Sequence, residues 1–160
     1  MLRLILLIVV ALSLGGCASR ASSLATATAK IDFCSLITRE EAAAALGGDI
    51  EVTLPPDGKA CVYSRGDGSI VVLAVTSDSA DFQKFGVTRD ARTEAKPISG
   101  VGDKAIILMS KEKPDEGAKA IQALKGNVYV AIGMSASTPP VSEDVLKTLA
   151  MKALSRLPAK

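Results

Sequence analysis

Side chains able to do chemistry are few in this 160-residue sequence, and histidine, the commonest general base, is absent altogether. Without it a serine hydroxyl lacks its usual activator, and no G-x-S-x-G elbow is present. Carboxylates come in close sets at Glu40/Glu41, Asp78/Asp81, Asp115/Glu116 and Glu143/Asp144. Paired acids can bind calcium or run glycoside hydrolysis. Here two sets fall where a helix is expected to begin, so that negative charge complements the helix dipole, and the others lie near turns. The D-x-D-x-D-G spacing of a calcium loop does not occur. Gly100-Val101-Gly102-Asp103-Lys104-Ala105 spells G-x-G-x-x-A, but Pro97 stands where a strand should precede it and β-branched Ile106-Ile107 where a helix should follow. Those glycines read as a sharp turn into a strand. No catalytic residue, metal site or cofactor is expected, and the chain does not read as an enzyme.

That leaves the cysteines, Cys17, Cys34 and Cys61, whose roles depend on what surrounds them. Met1-Leu2-Arg3 is a short positive start, and Leu4 to Leu12 is a nine-residue apolar run, enough for an export signal and too short to span a bilayer. The run leads into Leu14-Gly15-Gly16-Cys17, which looks like the lipobox of bacterial lipoprotein precursors. Residues 1–16 are accordingly expected to be a signal peptide, cleaved before a lipidated Cys17. Each buried methylene contributes about 0.8 kcal/mol, so two or three acyl chains, palmitate among them, give stable membrane attachment where one does not. Ala18 follows the cysteine, where an aspartate would suggest inner-membrane retention, so the periplasmic leaflet of the outer membrane is favoured over the inner membrane.

An exported chain sits where disulfides persist, and Cys34 and Cys61 are the two thiols left once Cys17 is acylated. A Cys34–Cys61 bridge is the leading expectation. The alternatives are two buried free thiols or a redox or metal pair, and with no histidine and no C-x-x-C neither chemistry has its usual partners.

Residues 18–30 are rich in Ser, Thr and Ala without apolar periodicity and read as a flexible tether of roughly 20 Å root-mean-square span. Residues 31–160 then form one domain. Over the whole chain 19 cationic and 17 acidic residues are nearly balanced and scattered, which argues against nucleic acid as a partner. Thr38 and Glu41 spell a capping box for a helix that Gly47-Gly48 ends. Ile50–Leu54 and Ala60–Ser64 read as strands around the Pro55-Pro56-Asp57-Gly58 turn. Ser69–Ser77 reads as a central strand apolar on both faces, Ser79–Phe85 as a short helix, and Pro97–Gly102 as a turn into an Asp103–Ser110 strand. Lys119–Lys125 and Val128–Met134 flank Gly126-Asn127 as a hairpin. Ser142 caps a closing helix with Leu146, Leu149, Ala153 and Leu157 on one face and Pro158 as its stop. The pattern predicts an α+β fold, a largely antiparallel sheet of about five to six strands packed with an N-terminal and a C-terminal helix.

The run Asp32-Phe33-Cys34-Ser35-Leu36-Ile37-Thr38-Arg39-Glu40-Glu41-Ala42, followed by Ala45-Leu46-Gly47 and by Cys61-Val62-Tyr63, resembles a family of small uncharacterised bacterial lipoproteins. That family opens with a D-x-C-x-L-[LI]-T-x-x-E helix start, then A-L-G and C-x-[YW]. Gly100–Asp103, the Gly126-Asn127-Val128-Tyr129 hairpin and the closing helix extend the likeness over most of residues 32–157. It implies an exported α+β domain with its two cysteines bridged and brings no catalytic residue. The functional expectation is an envelope lipoprotein whose domain binds another envelope protein or plays a structural part. The alternative is a carrier or sensor of a small apolar ligand, because apolar residues on both faces of two strands also suit a cavity.

Overall fold

The computed structural model describes residues 31–58, 60–66, 68–76, 92–113, 119–135 and 142–158. The signal segment, Cys17, the tether, the helix expected at Ser79–Phe85 and the Asp78/Asp81 and Asp115/Glu116 sets lie outside these residues.

The chain begins with a single helical turn, α1 (Phe33–Leu36), capped by the Asp32 carboxylate, which accepts the Cys34 N–H at 3.0 Å. Helix α2 (Arg39–Leu46) follows, and its capping box is complete. Thr38 Oγ1 accepts the Glu41 N–H at 3.3 Å while the Glu41 carboxylate accepts the Thr38 N–H at 3.0 Å. Gly47 ends the helix at φ 83°, a left-handed conformation that costs glycine nothing.

Seven strands follow: β1 (Glu51–Thr53), β2 (Cys61–Arg65), β3 (Gly68–Thr76), β4 (Thr93–Ile98), β5 (Lys104–Ser110), β6 (Lys119–Lys125) and β7 (Val128–Met134). They form one fully antiparallel sheet in the order β1-β2-β3-β7-β6-β5-β4. Helix α3 (Glu143–Ser155) closes the chain, with Ser142 Oγ accepting the Val145 N–H. The α+β architecture and antiparallel sheet are those the sequence predicts. Among the described residues the strands number seven, not five to six, because β4 occupies what reads as loop and turn. Glu94, Lys96 and Pro97 make it a poor strand by composition, yet Pro97 pairs in register with Ile106. An edge strand tolerates proline, since its outward N–H has no ladder to serve.

Register fixes which residues share a face, because Cα partners on neighbouring strands point the same way. One face carries Cys61 and Tyr63, Ile70 and Val72, Val130 and Ile132, Ile121 and Ala123, and Ala105 and Ile107, all buried. All three described helices pack there, contributing Leu36, Ala42, Leu46, Leu146, Leu149, Ala150, Ala153 and Leu154 to one core. The opposite face holds a smaller buried cluster of Leu124 and Tyr129 with Ala131 against it. Leu157 lies beyond the end of α3 and is only half-buried, so Ala150 and Leu154 complete the helix's inner stripe.

Candidate functional site

The cysteines are placed first by secondary structure. Cys34 sits in α1 and Cys61 opens β2, and their Cα atoms are 5.1 Å apart with the sulfurs bonded. The bond fastens a one-turn helix to the sheet, and Tyr63, two residues along β2 on the same face, does the same by polar means. Its hydroxyl donates to the carbonyls of Cys34, at 3.1 Å, and Ile37. Burial, with the nearby Asp32 and Glu41 charges adding to it, pushes the Tyr63 phenol up to about 12, so it remains a donor at any physiological pH.

Both carboxylate sets inside the described region stand in helix first turns. Glu41 has a second job that sequence spacing does not reveal. The Arg156 guanidinium, just past the end of α3, grips both its oxygens at 2.6 and 2.7 Å and also donates to the Leu36 carbonyl at 2.8 Å. Lys152 adds a contact at 3.1 Å. The Arg156 hydrogen bonds hold the Glu41 carboxyl down at about 2 against the opposing effect of burial. Glu41 thus stays ionised at neutral pH and anchors Arg156. Glu143 and Asp144 meet Lys147 at 3.9 and 3.5 Å, and Glu143 also meets Lys96 of β4 at 3.9 Å. No group of three or more potential metal ligands occurs among the described residues.

The glycine turn is structural. Gly102 has φ 60°, and a Cβ there would lie 2.4 Å from the Leu124 carbonyl oxygen. The Asp103 N–H donates to that carbonyl at 2.7 Å, and the Asp103 carboxylate accepts the Gly126 N–H at 2.6 Å, locking the turn onto the β6–β7 hairpin. Glycine serves a close backbone approach here.

What remains for recognition is surface. A cleft of about 440 Å³ runs between α2 and α3 over Ala44, Ala45, Val145 and Leu149, with Glu40 and Asp144 at its lips. A second, of about 680 Å³, lies at one end of the sheet, where Ser69 is hydrogen-bonded to Ser135, and extends across Gly133 and Ala120 to Ser110. Both are open to solvent. At the β1 edge Val52 and Leu54 are 43% and 59% exposed, the only large exposed hydrophobics besides Met151 among the described residues. No helix among the described residues is long and apolar enough to cross a membrane. No family model, curated protein or solved structure matches this chain.

Proposed function

We propose that this protein is a lipid-anchored lipoprotein of the bacterial envelope, held at Cys17 in the periplasmic leaflet of the outer membrane, whose domain binds another envelope protein and performs no catalysis. The observation that carries the reading is the Cys34–Cys61 bond. It suits an oxidising compartment, and it leaves Cys17, placed directly after an apolar run and two glycines, as the one cysteine outside the bridge. The resemblance to small lipoproteins supports the same compartment. Between binding a partner and carrying an apolar ligand, the open clefts and the exposed Val52 and Leu54 favour the partner, since a carrier encloses its cargo.

Metabolic labelling with an alkyne fatty acid tests the anchor. The full chain takes up label and fractionates with the outer membrane, whereas Cys17→Ser takes up none and accumulates uncleaved. Equal label in the two proteins, or label on neither, overturns the reading.

A further inference from the structure

Strands β3 and β4 run parallel, because the pairings that separate them, through β7, β6 and β5, are all antiparallel. β3 leaves the sheet at Thr76, paired with Val128, and β4 enters at the other end, at Thr93, paired with Ser110. Residues 77–91 therefore return along the strands and shift by four strand spacings, about 19 Å. A crossover between parallel strands of one sheet is right-handed in about 98% of cases. Its hand picks a face. The Ser135 N–H donates to the Ser69 carbonyl at 3.0 Å, so Ser69, which alternates with the inward Ile70, turns its peptide group toward β7. For L-residues this puts β4 to the left of β3 when the sheet is seen from the helix side with β3 running upward. A connection over the helices would then be left-handed, and one over the opposite face is right-handed.

That opposite face is covered. Leu124 and Tyr129 are each 3% exposed there, and burial pushes the Tyr129 phenol up to about 12. Helices α1, α2 and α3 all pack on the other side, so no described element accounts for the cover. Tyr129 stands one position from Val128, where the chain leaves β3. Ala131, Ala120, Ile106 and Leu108 continue the same face toward β4 and are half-buried. We infer that the occupant of this face is the chain's own connection, residues 77–91, seated diagonally across β7, β6 and β5 with Phe82, Phe85 and Val87 as its apolar contacts. These are the large apolar residues of the segment, and two of them are among the chain's three phenylalanines. Other stretches suit the face less well. Residues 114–118 and 136–141 start at the end of the sheet away from Tyr129, and residues 18–30 lead into α1 on the helix side. With its second face filled by its own chain, the sheet has no apolar shelf to offer a ligand, which separates a partner binder from a carrier.

The seat of residues 77–91 is independent of the lipid anchor and goes beyond the proposed role as a protein binder. To test it, the full-length protein in detergent carries the photoreactive p-benzoylphenylalanine in place of Phe85, and crosslinked peptides are mapped by mass spectrometry. Crosslinks join position 85 to residues 104–110, 119–125 or 128–134 of the same chain. Crosslinks to α2 or α3, to a second molecule, or to nothing overturn the proposal. Maleimide labelling gives a second measure, on variants with the segment intact or altered. Ala131→Cys reacts about tenfold more slowly than Ala44→Cys, which is exposed on α2, and adding Phe82→Ser and Phe85→Ser removes most of that difference while amide protection of α3 persists. Equal rates at the two positions with the segment intact, or protection at position 131 that survives both serines, overturns the proposal. So does a saturable site for an anilinonaphthalene dye that slows labelling at position 131, which would give the face to a ligand. The crosslink does not depend on the serine variant folding.

Discussion

Two parts of one helical layer cover the same sheet face, and they are held down by different means. Helix α3 has thirteen residues, a serine cap and five buried apolar side chains in a stripe, so packing is the larger part of its hold, with a hydrogen bond from Lys125 to its Leu154 carbonyl at 3.0 Å beside it. The α1–α2 segment has helices of four and eight residues, below the length of about 12–15 at which a helix is even marginal by itself. Its buried apolar residues, Leu36, Ile37, Ala42 and Leu46, are nearly as many as those of α3 but are spread over two short helices and the link between them. Cross-links compensate: the Cys34–Cys61 bond, the Tyr63 hydroxyl, Arg65 on the Leu46 carbonyl, and Arg156 reaching from the end of α3 to Glu41 and Leu36. A short cover is made rigid by specific bonds, a long one by area.

The largest expected effect comes from removing the covalent link. The Cys34→Ala, Cys61→Ala double variant loses about 3.5 kcal/mol, the chain-entropy value for a bridge spanning 27 positions, read as a lower denaturant midpoint. A loss below about 1 kcal/mol would mean that α1–α2 sits as securely by packing as α3 does, and the contrast would fail.

Leu146→Ala, which empties a fully buried site under α3, costs about 3 kcal/mol. Amide exchange sharpens the comparison here. Protection falls across α3 first in this variant and across α1–α2 first in the disulfide variant. Uniform loss in both would show that the layer opens as one unit.

Glu41→Gln costs about 2 kcal/mol at neutral pH, because the Glu41 side chain is only 14% exposed and two hydrogen bonds to Arg156 lose their charge. The folded carboxyl, near 2, lies below its ordinary 4.5. Its contribution is therefore complete above about pH 4.5 and is lost as pH falls toward 2. Denaturant melts at several pH values should show wild type converging on the variant in that window. Parallel curves would remove Glu41 from the account.

The smallest effect separates caps from staples. Ser142→Ala and Thr38→Ala each remove a hydroxyl cap and each cost about 1 kcal/mol by thermal melting. A Thr38→Ala loss approaching that of Glu41→Gln would assign the Glu41 effect to the capping box and not to Arg156.

Local chemistry was legible from the sequence alone. Thr38 with Glu41, Gly47, Ser142 and Gly126-Asn127 each act through neighbours a few positions away, so the starts of α2 and α3, the end of α2 and the hairpin fall where the pattern puts them, whereas the turn α1 and the end of α3 at Ser155 do not. The cysteine pair was legible for a different reason, since so few thiols remain once Cys17 is set aside. Strand β4 was not, because its composition describes a sheet edge and nothing in the chain says where the edge will be. Nor was the joining of Glu41 to Arg156, 115 positions apart, or the exposure of Val52 and Leu54. By itself the sequence determined an α+β chain with its caps and its bridge, through interactions of short range or few possible partners. Which strand lies outermost, which charges meet and which apolar residues stay in water were decided only by the folded sheet, because each depends on what the rest of the chain leaves beside it.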